Sequence, residues 1–310
     1  MADPAAHVFQ GKIYIYPSHD WDSPVTDKAE GNHYDMRDYH VFSIDGDFMT
    51  GEVTDHGKVF ALEDVPWASR QLWAADAAEK DGKYYLYFTA RDRRGLFRIG
   101  VAAADHPAGP FTVMPEPVAG TYSIDPAVYG EDGAHYIYFG GLSGGQLQNY
   151  RGNVYDPGAK MPDKADIAAA PRVARLAEDM VSLAEEPREV LILDSDGKPF
   201  TEGDRHRFYE ASWLHKHDGR YYFSYSTGST HLICYAVGDS PYGPFTYAGE
   251  ILTPVTGWTT HHCVVEHGGS WWLVCHDSKP SGGSSRLRSM KVLPLTHRPD
   301  GTIVTLDGGK

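Results

Sequence analysis

One short phrase recurs five times along this chain: a turn carrying Gly, followed by a strand rich in aromatic residues. The copies read GKIYIYPSHD from Gly11, DGKYYLYFTA from Asp81, EDGAHYIYFGG from Glu131, HDGRYYFSYSTG from His217 and HGGSWWLVCHDS from His267. A Gly turn feeding a strand of alternating aromatic and smaller residues is the pattern of a β-hairpin. Self-similarity at long period marks a repeat architecture. Five blades of about 60 residues each fill the 310 residues, which predicts an all-β, five-bladed β-propeller with four-stranded antiparallel blades, in one domain over 1–310. Two copies also share an exit phrase, HPAGPFT at 106–112 and SPYGPFT at 240–246. The final DGTIVTLDGG is expected to add a last strand that closes the ring with the N-terminal blade. Residues 142–206 break the rhythm. They are expected to form the outer part of the third blade and a long loop near the pocket rim, with a short helix near Ala165–Ala170 and a strand over EVLIL at 189–193.

Composition excludes several functions. The formal net charge of −14 and the absence of any Lys/Arg cluster argue against a nucleic-acid partner. No apolar run reaches a membrane span and no apolar signal region opens the chain, so no membrane partner and a cytoplasmic location are expected. Three cysteines, Cys234, Cys263 and Cys275, form neither a disulfide framework nor a paired metal motif.

Three carboxylates occupy matched places in the repeat. Asp3 in Ala-Asp-Pro, Asp125 in Ser-Ile-Asp-Pro and Glu210 in Phe-Tyr-Glu-Ala each lie some 8 to 11 residues upstream of a Gly-aromatic hairpin. The innermost strand of each propeller blade lines the axis, so corresponding positions of different blades converge on one pocket. Three carboxylates among aromatic walls are what glycosidic bond hydrolysis requires: one activates water, one protonates the leaving oxygen, and a like-charged neighbour raises the acid's pKa.

On the phrases ADPAAHVFQGKIYIYPSHD, LWAADAAEKDGKYYLYF, SIDPAVYGEDG, FYEASWLHKHDGRYYFSYSTG and HHCVVEHGGSWWLVCHDS, the chain resembles glycoside hydrolase family 43 over essentially its whole length. The resemblance implies an inverting hydrolase releasing terminal β-D-xylose or α-L-arabinofuranose from small oligosaccharides. It casts Asp3 as general base, Asp125 as the carboxylate that tunes and orients the acid, and Glu210 as general acid. Trp73 and Phe139 become sugar-contacting aromatics, and Arg288 the arginine near the sugar hydroxyls and Asp3, with Arg286 its competitor. His261 resembles the axial histidine that holds a hydrated calcium in the central channel, the contact being mainly through water since calcium prefers oxygen ligands. No organic cofactor is implied. The chain departs from the family pattern at Ala75, where Pro is usual, and at Ala211-Ser212 after the acid. The stretch 35–40 and the pair His19-Asp20 are expected near the rim without an assigned role. A retaining sucrose-cleaving propeller would need motifs that are missing here, and a non-catalytic sugar-binding propeller would be expected to lack one of the carboxylates.

Overall fold

The computed structural model describes residues 1–257 and 261–309, and five small antiparallel sheets make up nearly all of its regular structure. Blade one is Ala2–Phe9, Lys12–Ser18, Asp38–Asp45 and Glu52–Ala61. Blade two is Ala75–Lys80, Lys83–Asp92, Phe97–Ala104 and Thr112–Val113, with Ala68–Arg70 against the far end of its second strand. Blade three is Ala127–Glu131, Ala134–Phe139, Arg172–Arg175 and Arg188–Glu189. Blade four is Glu210–His217, Arg220–Ser226, Ile233–Gly238 and Phe245–Leu252. Blade five has only three strands, His262–His267, Ser270–Asp277 and Ser289–Leu295. The helical content among the described residues is short 3₁₀ turns.

The repeated phrase is one local structure used five times. Each copy joins the first two strands of its blade by a two-residue turn, at Gln10-Gly11, Asp81-Gly82, Asp132-Gly133, Asp218-Gly219 and Gly268-Gly269. Both residues of every turn have positive φ, from 46° to 77°. That is the turn whose twist matches the flanking strands, and it selects Gly at its second position. The two shared exit phrases also have one structure, since each carries a cis Gly–Pro peptide, Gly109–Pro110 and Gly243–Pro244.

The inner strands meet around the axis through specific contacts. His7 Nε2 lies 2.5 Å from Asp76 Oδ1, and Asp76 Oδ2 accepts the Val128 N–H at 2.6 Å, tying blades one, two and three. The Ala6 N–H donates to Cys263 Sγ at 3.2 Å, and Trp213 Nε1–H to the Val264 carbonyl at 2.9 Å, tying blades one and four to blade five. Asp125 Oδ2 accepts the Ala211 N–H at 3.0 Å and joins blades three and four. The cysteines serve as packing: all three are free and buried.

Three expectations change. The tail does not pair with the N-terminal blade: Leu306 pairs with Leu252 and Gly309 with Val255. The tail covers the open outer edge of blade four, as Ile192–Leu193 does in parallel at the other end of the same strand. The ring closes instead by blade one packing on blade five. No helix forms at 165–170, because Ala168 N–H bonds to the Phe200 carbonyl and Ile167 pairs with Thr201 in extended geometry. The segment 189–193 is split, its first residue in blade three and its last two in blade four.

Candidate active site

A cavity of about 300 Å³ opens at one end of the axis, and Asp3, Asp125, Glu210, Trp73, Arg288 and His261 all line it. The local backbone explains why the carboxylates point there. Asp3, Asp125 and Ala211 each lie eight residues before their hairpin Gly, and each has positive φ, at 44°, 59° and 58°. Such conformations are sparsely populated for residues with a Cβ and concentrate at functional sites. In blades one and four the inner strand is bulged at this point, between Ala2 and Ala5 and between Glu210 and Trp213. A bulge re-aims a side chain that a regular strand would place on a sheet face.

Asp3 is buried and heavily bonded. Its Oδ2 accepts the Ser18 hydroxyl at 2.5 Å and its Oδ1 accepts Arg288 Nη1–H at 2.8 Å. Its own N–H donates to His276 Nδ1 at 3.0 Å. Burial alone would raise its pKa. Arg288, then His276 and His261, and the Ser18 hydrogen bond outweigh it and hold the carboxyl well below the usual range. Arg288 is fixed by Asp20, whose two oxygens grip Nε and Nη2 at 2.9 and 2.7 Å, in the bidentate fork arginine favours. Its guanidinium also lies over the Tyr34 ring at 5.1 Å. Arg286, the competitor, turns away and donates to the Val25 carbonyl at 3.1 Å.

Glu210 is poised the opposite way. Its enclosure, and then the negative charge of Asp3, push its pKa up to about 8, against the pull of Arg288. Asp125 is raised as well, by burial first and then by Glu210 and Asp3. At neutral pH the site therefore holds an ionised Asp3 facing a protonated Glu210, the division of proton states that acid–base hydrolysis uses. This sets an expected pH profile. Glu210 must carry its proton, so kcat/KM should fall as pH rises through about 8. Asp3 stays ionised well into acid, so it imposes no loss through the ordinary carboxylate range. Initial rates across pH on one substrate check both limbs.

Trp73 forms one wall. Its Nε1–H donates to the Tyr34 carbonyl at 3.0 Å and its ring packs on Phe97 at 4.5 Å. Gly31 lies against the outer carbons of its six-membered ring, where a Cβ would come within 2.6 Å. Phe139 is not in the cavity. It is fully buried in the core with its ring edge-on to Tyr122 at 5.3 Å, so it packs blade three rather than a sugar. His261 is buried with Nδ1 3.8 Å from Asp125 Oδ2. The long segment supplies Leu142, Ser143, Gly144 and Gly145 to the wall, the rim position expected of it. Ser18, Asp20 and Tyr34 had no role assigned from sequence. Asp20 carried a signal, being half of the His19-Asp20 pair that ends the first aromatic strand.

Known proteins resemble this chain over nearly its whole length. The family model for glycosyl hydrolases family 43 matches residues 52–303. A xylosidase/arabinosidase of Bacteroides ovatus is 59% identical, over 99% of this chain and 95% of the relative. The solved structure of the RS223 β-xylosidase superposes with a TM-score of 0.97 at 57% identity, covering 99% of this chain and 95% of that one. A family 43 β-xylosidase/α-arabinofuranosidase from a compost microbial metagenome was solved with xylotriose in a calcium-free form. It gives a TM-score of 0.96 at 54% identity, covering all of this chain and 95% of that one. A five-bladed propeller with three convergent carboxylates, matched at this identity over its full length, is a glycoside hydrolase, and the chain belongs to glycosyl hydrolases family 43.

Proposed function

We propose that the enzyme releases terminal pentose, β-D-xylose and α-L-arabinofuranose, from xylo- or arabino-oligosaccharides by single displacement with inversion. The observation that carries this reading is the opposed poise of Asp3 and Glu210 in one enclosed cavity. The ionised Asp3 would take a proton from a water on one face of the anomeric carbon. Glu210 would protonate the glycosidic oxygen on the other. Asp125 is a positioning residue: it accepts the N–H of Ala211, directly after the acid, and its charge state bears on Glu210. Trp73 and Arg288, both in the cavity lining, would contact the sugar. The relatives' names, and the xylotriose bound by the compost enzyme, support the substrate class. A cavity of about 300 Å³ lies at the small end of ligand pockets, which favours one sugar ring and cleavage from a chain end.

The test is hydrolysis of aryl β-D-xylopyranoside and aryl α-L-arabinofuranoside, with the first-formed anomer followed by proton NMR. Turnover with the inverted anomer is expected; the retained anomer would sink the mechanism. Release of internal fragments from polymeric xylan would refute chain-end action.

Calcium enters this proposal at His261. The compost enzyme's calcium-free form bears on the family, and the residues here fit an ion held mainly through its water shell. His261 offers one nitrogen beside Asp125, and it belongs to no three-ligand cluster among the described residues. A bound cation would supply positive charge next to Asp125 and lower its affinity for a proton. Added calcium is expected to change turnover of the wild type and to leave His261→Ala unaffected, as rates with calcium and with chelator would show.

A further inference from the structure

His19, Asp38 and His40 lie outside the reaction just described, and no step of it uses them. Asp38 and His40 alternate on one strand of blade one and so share a face. Ser18 pairs with Tyr39 between them, which brings the next residue, His19, over the same spot. One ligand-bearing atom of each residue falls within 4.8 Å of the others, and this is the one such three-ligand group among the described residues. His19 Nδ1 is 2.5 Å from Asp38 Oδ1, and the two histidine rings are 5.1 Å apart, edge to face.

We propose that these three residues bind a divalent transition metal, with zinc the ion they suit best. Two imidazoles and one carboxylate, with a position left for water, form a ligand set of the type zinc takes at open sites. At zinc–ligand distances of about 2.0–2.2 Å, neighbouring ligands of a tetrahedral ion sit about 3.4 Å apart, so modest side-chain rotation closes the group. Nδ1 of His40 is buried and makes no hydrogen bond. Its nearest acid is Asp55, with Oδ1 at 3.5 Å. A buried ring nitrogen left without a hydrogen bond is costly, and a ligand that gathers the group removes that cost. The group is also separate in place from His261, since none of its three residues lines the axial cavity. Residue 19 is followed by Asp20, which grips Arg288, so metal bound here would hold the segment that anchors the arginine of Asp3. The simpler account of the cluster is a His19–Asp38 ion pair pinning a strand end, and that account involves no metal.

Calorimetric titration of the full chain with zinc chloride, and separately with calcium chloride, distinguishes the two. One zinc per chain is expected, with affinity at least about tenfold weaker in both His40→Ala and His19→Gln. Absence of zinc binding, or zinc affinity unchanged in both variants, overturns the site. So does calcium binding of which His40→Ala is deprived. Thermal melts establish that each variant is folded. If neither is, cobalt(II) bound to the wild type decides: an intense visible absorption of a four-coordinate nitrogen- and oxygen-ligated ion is expected, and its absence overturns the proposal. These readouts are independent of turnover, so they stand whichever sugar the enzyme cleaves.

Discussion

Replacing Glu210 with Ala is expected to lower kcat/KM on xylo-oligosaccharides by about 10²–10⁴-fold, the range a positioned general acid contributes. Aryl pentosides whose leaving group needs no proton should lose far less. The difference between the two substrate classes is the diagnostic, and equal losses on both would remove the acid role from Glu210. Glu210→Gln has a second readout. The folded state keeps Glu210 protonated up to about 8, whereas the unfolded chain releases that proton in the ordinary carboxyl range. Its contribution to stability is therefore complete below that range and erodes as pH climbs toward 8. The Gln variant has no proton to release, so its melting temperature should decline less than the wild type's between pH 5 and about 8. Activity would be lost and stability gained at one position, as expected where a site is tuned for chemistry rather than for folding.

Asp3→Asn should fail differently. The base must act whatever the leaving group, so a loss of about 10²–10⁴-fold is expected on oligosaccharides and activated aryl pentosides alike. The amide oxygen can still accept from Ser18 or Arg288, so the substitution removes charge more than shape. Asp3 is the second-largest cause of the raised Glu210 pKa, after burial. The residual activity of Asp3→Asn should then lose its basic limb at a lower pH than the wild type. A residual activity that remains steep only on poor leaving groups, with an unmoved basic limb, would assign Asp3 a structural part and leave the base unidentified.

Much of this site was legible because the chain repeats. The hairpin supplies an internal ruler, and against it Asp3, Asp125 and Glu210 are in step although they are far apart in sequence. The same ruler brings His261 into step in blade five, eight residues before Gly269. Trp73 and Arg288 came from family resemblance, since nothing in their spacing separates them from packing residues. Phe139 shows where such reading fails. Strands inside a propeller are covered on both faces, so alternation no longer separates a pocket aromatic from a core one. Asp20 and Tyr34 belong to blade one's 19–37 connection, which has no periodicity to read, and their roles depend on a fork and a ring contact that only the folded backbone creates. The tail was misplaced for a similar reason: its strand character was visible, but which sheet edge lay open was not.

The seam between blades one and five has a consequence for how the enzyme would wear out. Asp3 on the first strand is held by Arg288 and His276, both from the last blade. The contact that latches the ring is thus also the one that keeps the base ionised. A partial opening at this seam, with four blades still intact, would silence catalysis while most of the sheet signal persisted. Heat inactivation should accordingly precede loss of secondary structure, and a ligand lodged in the cavity, touching Asp3 and Arg288 together, would act as a clasp on the whole ring.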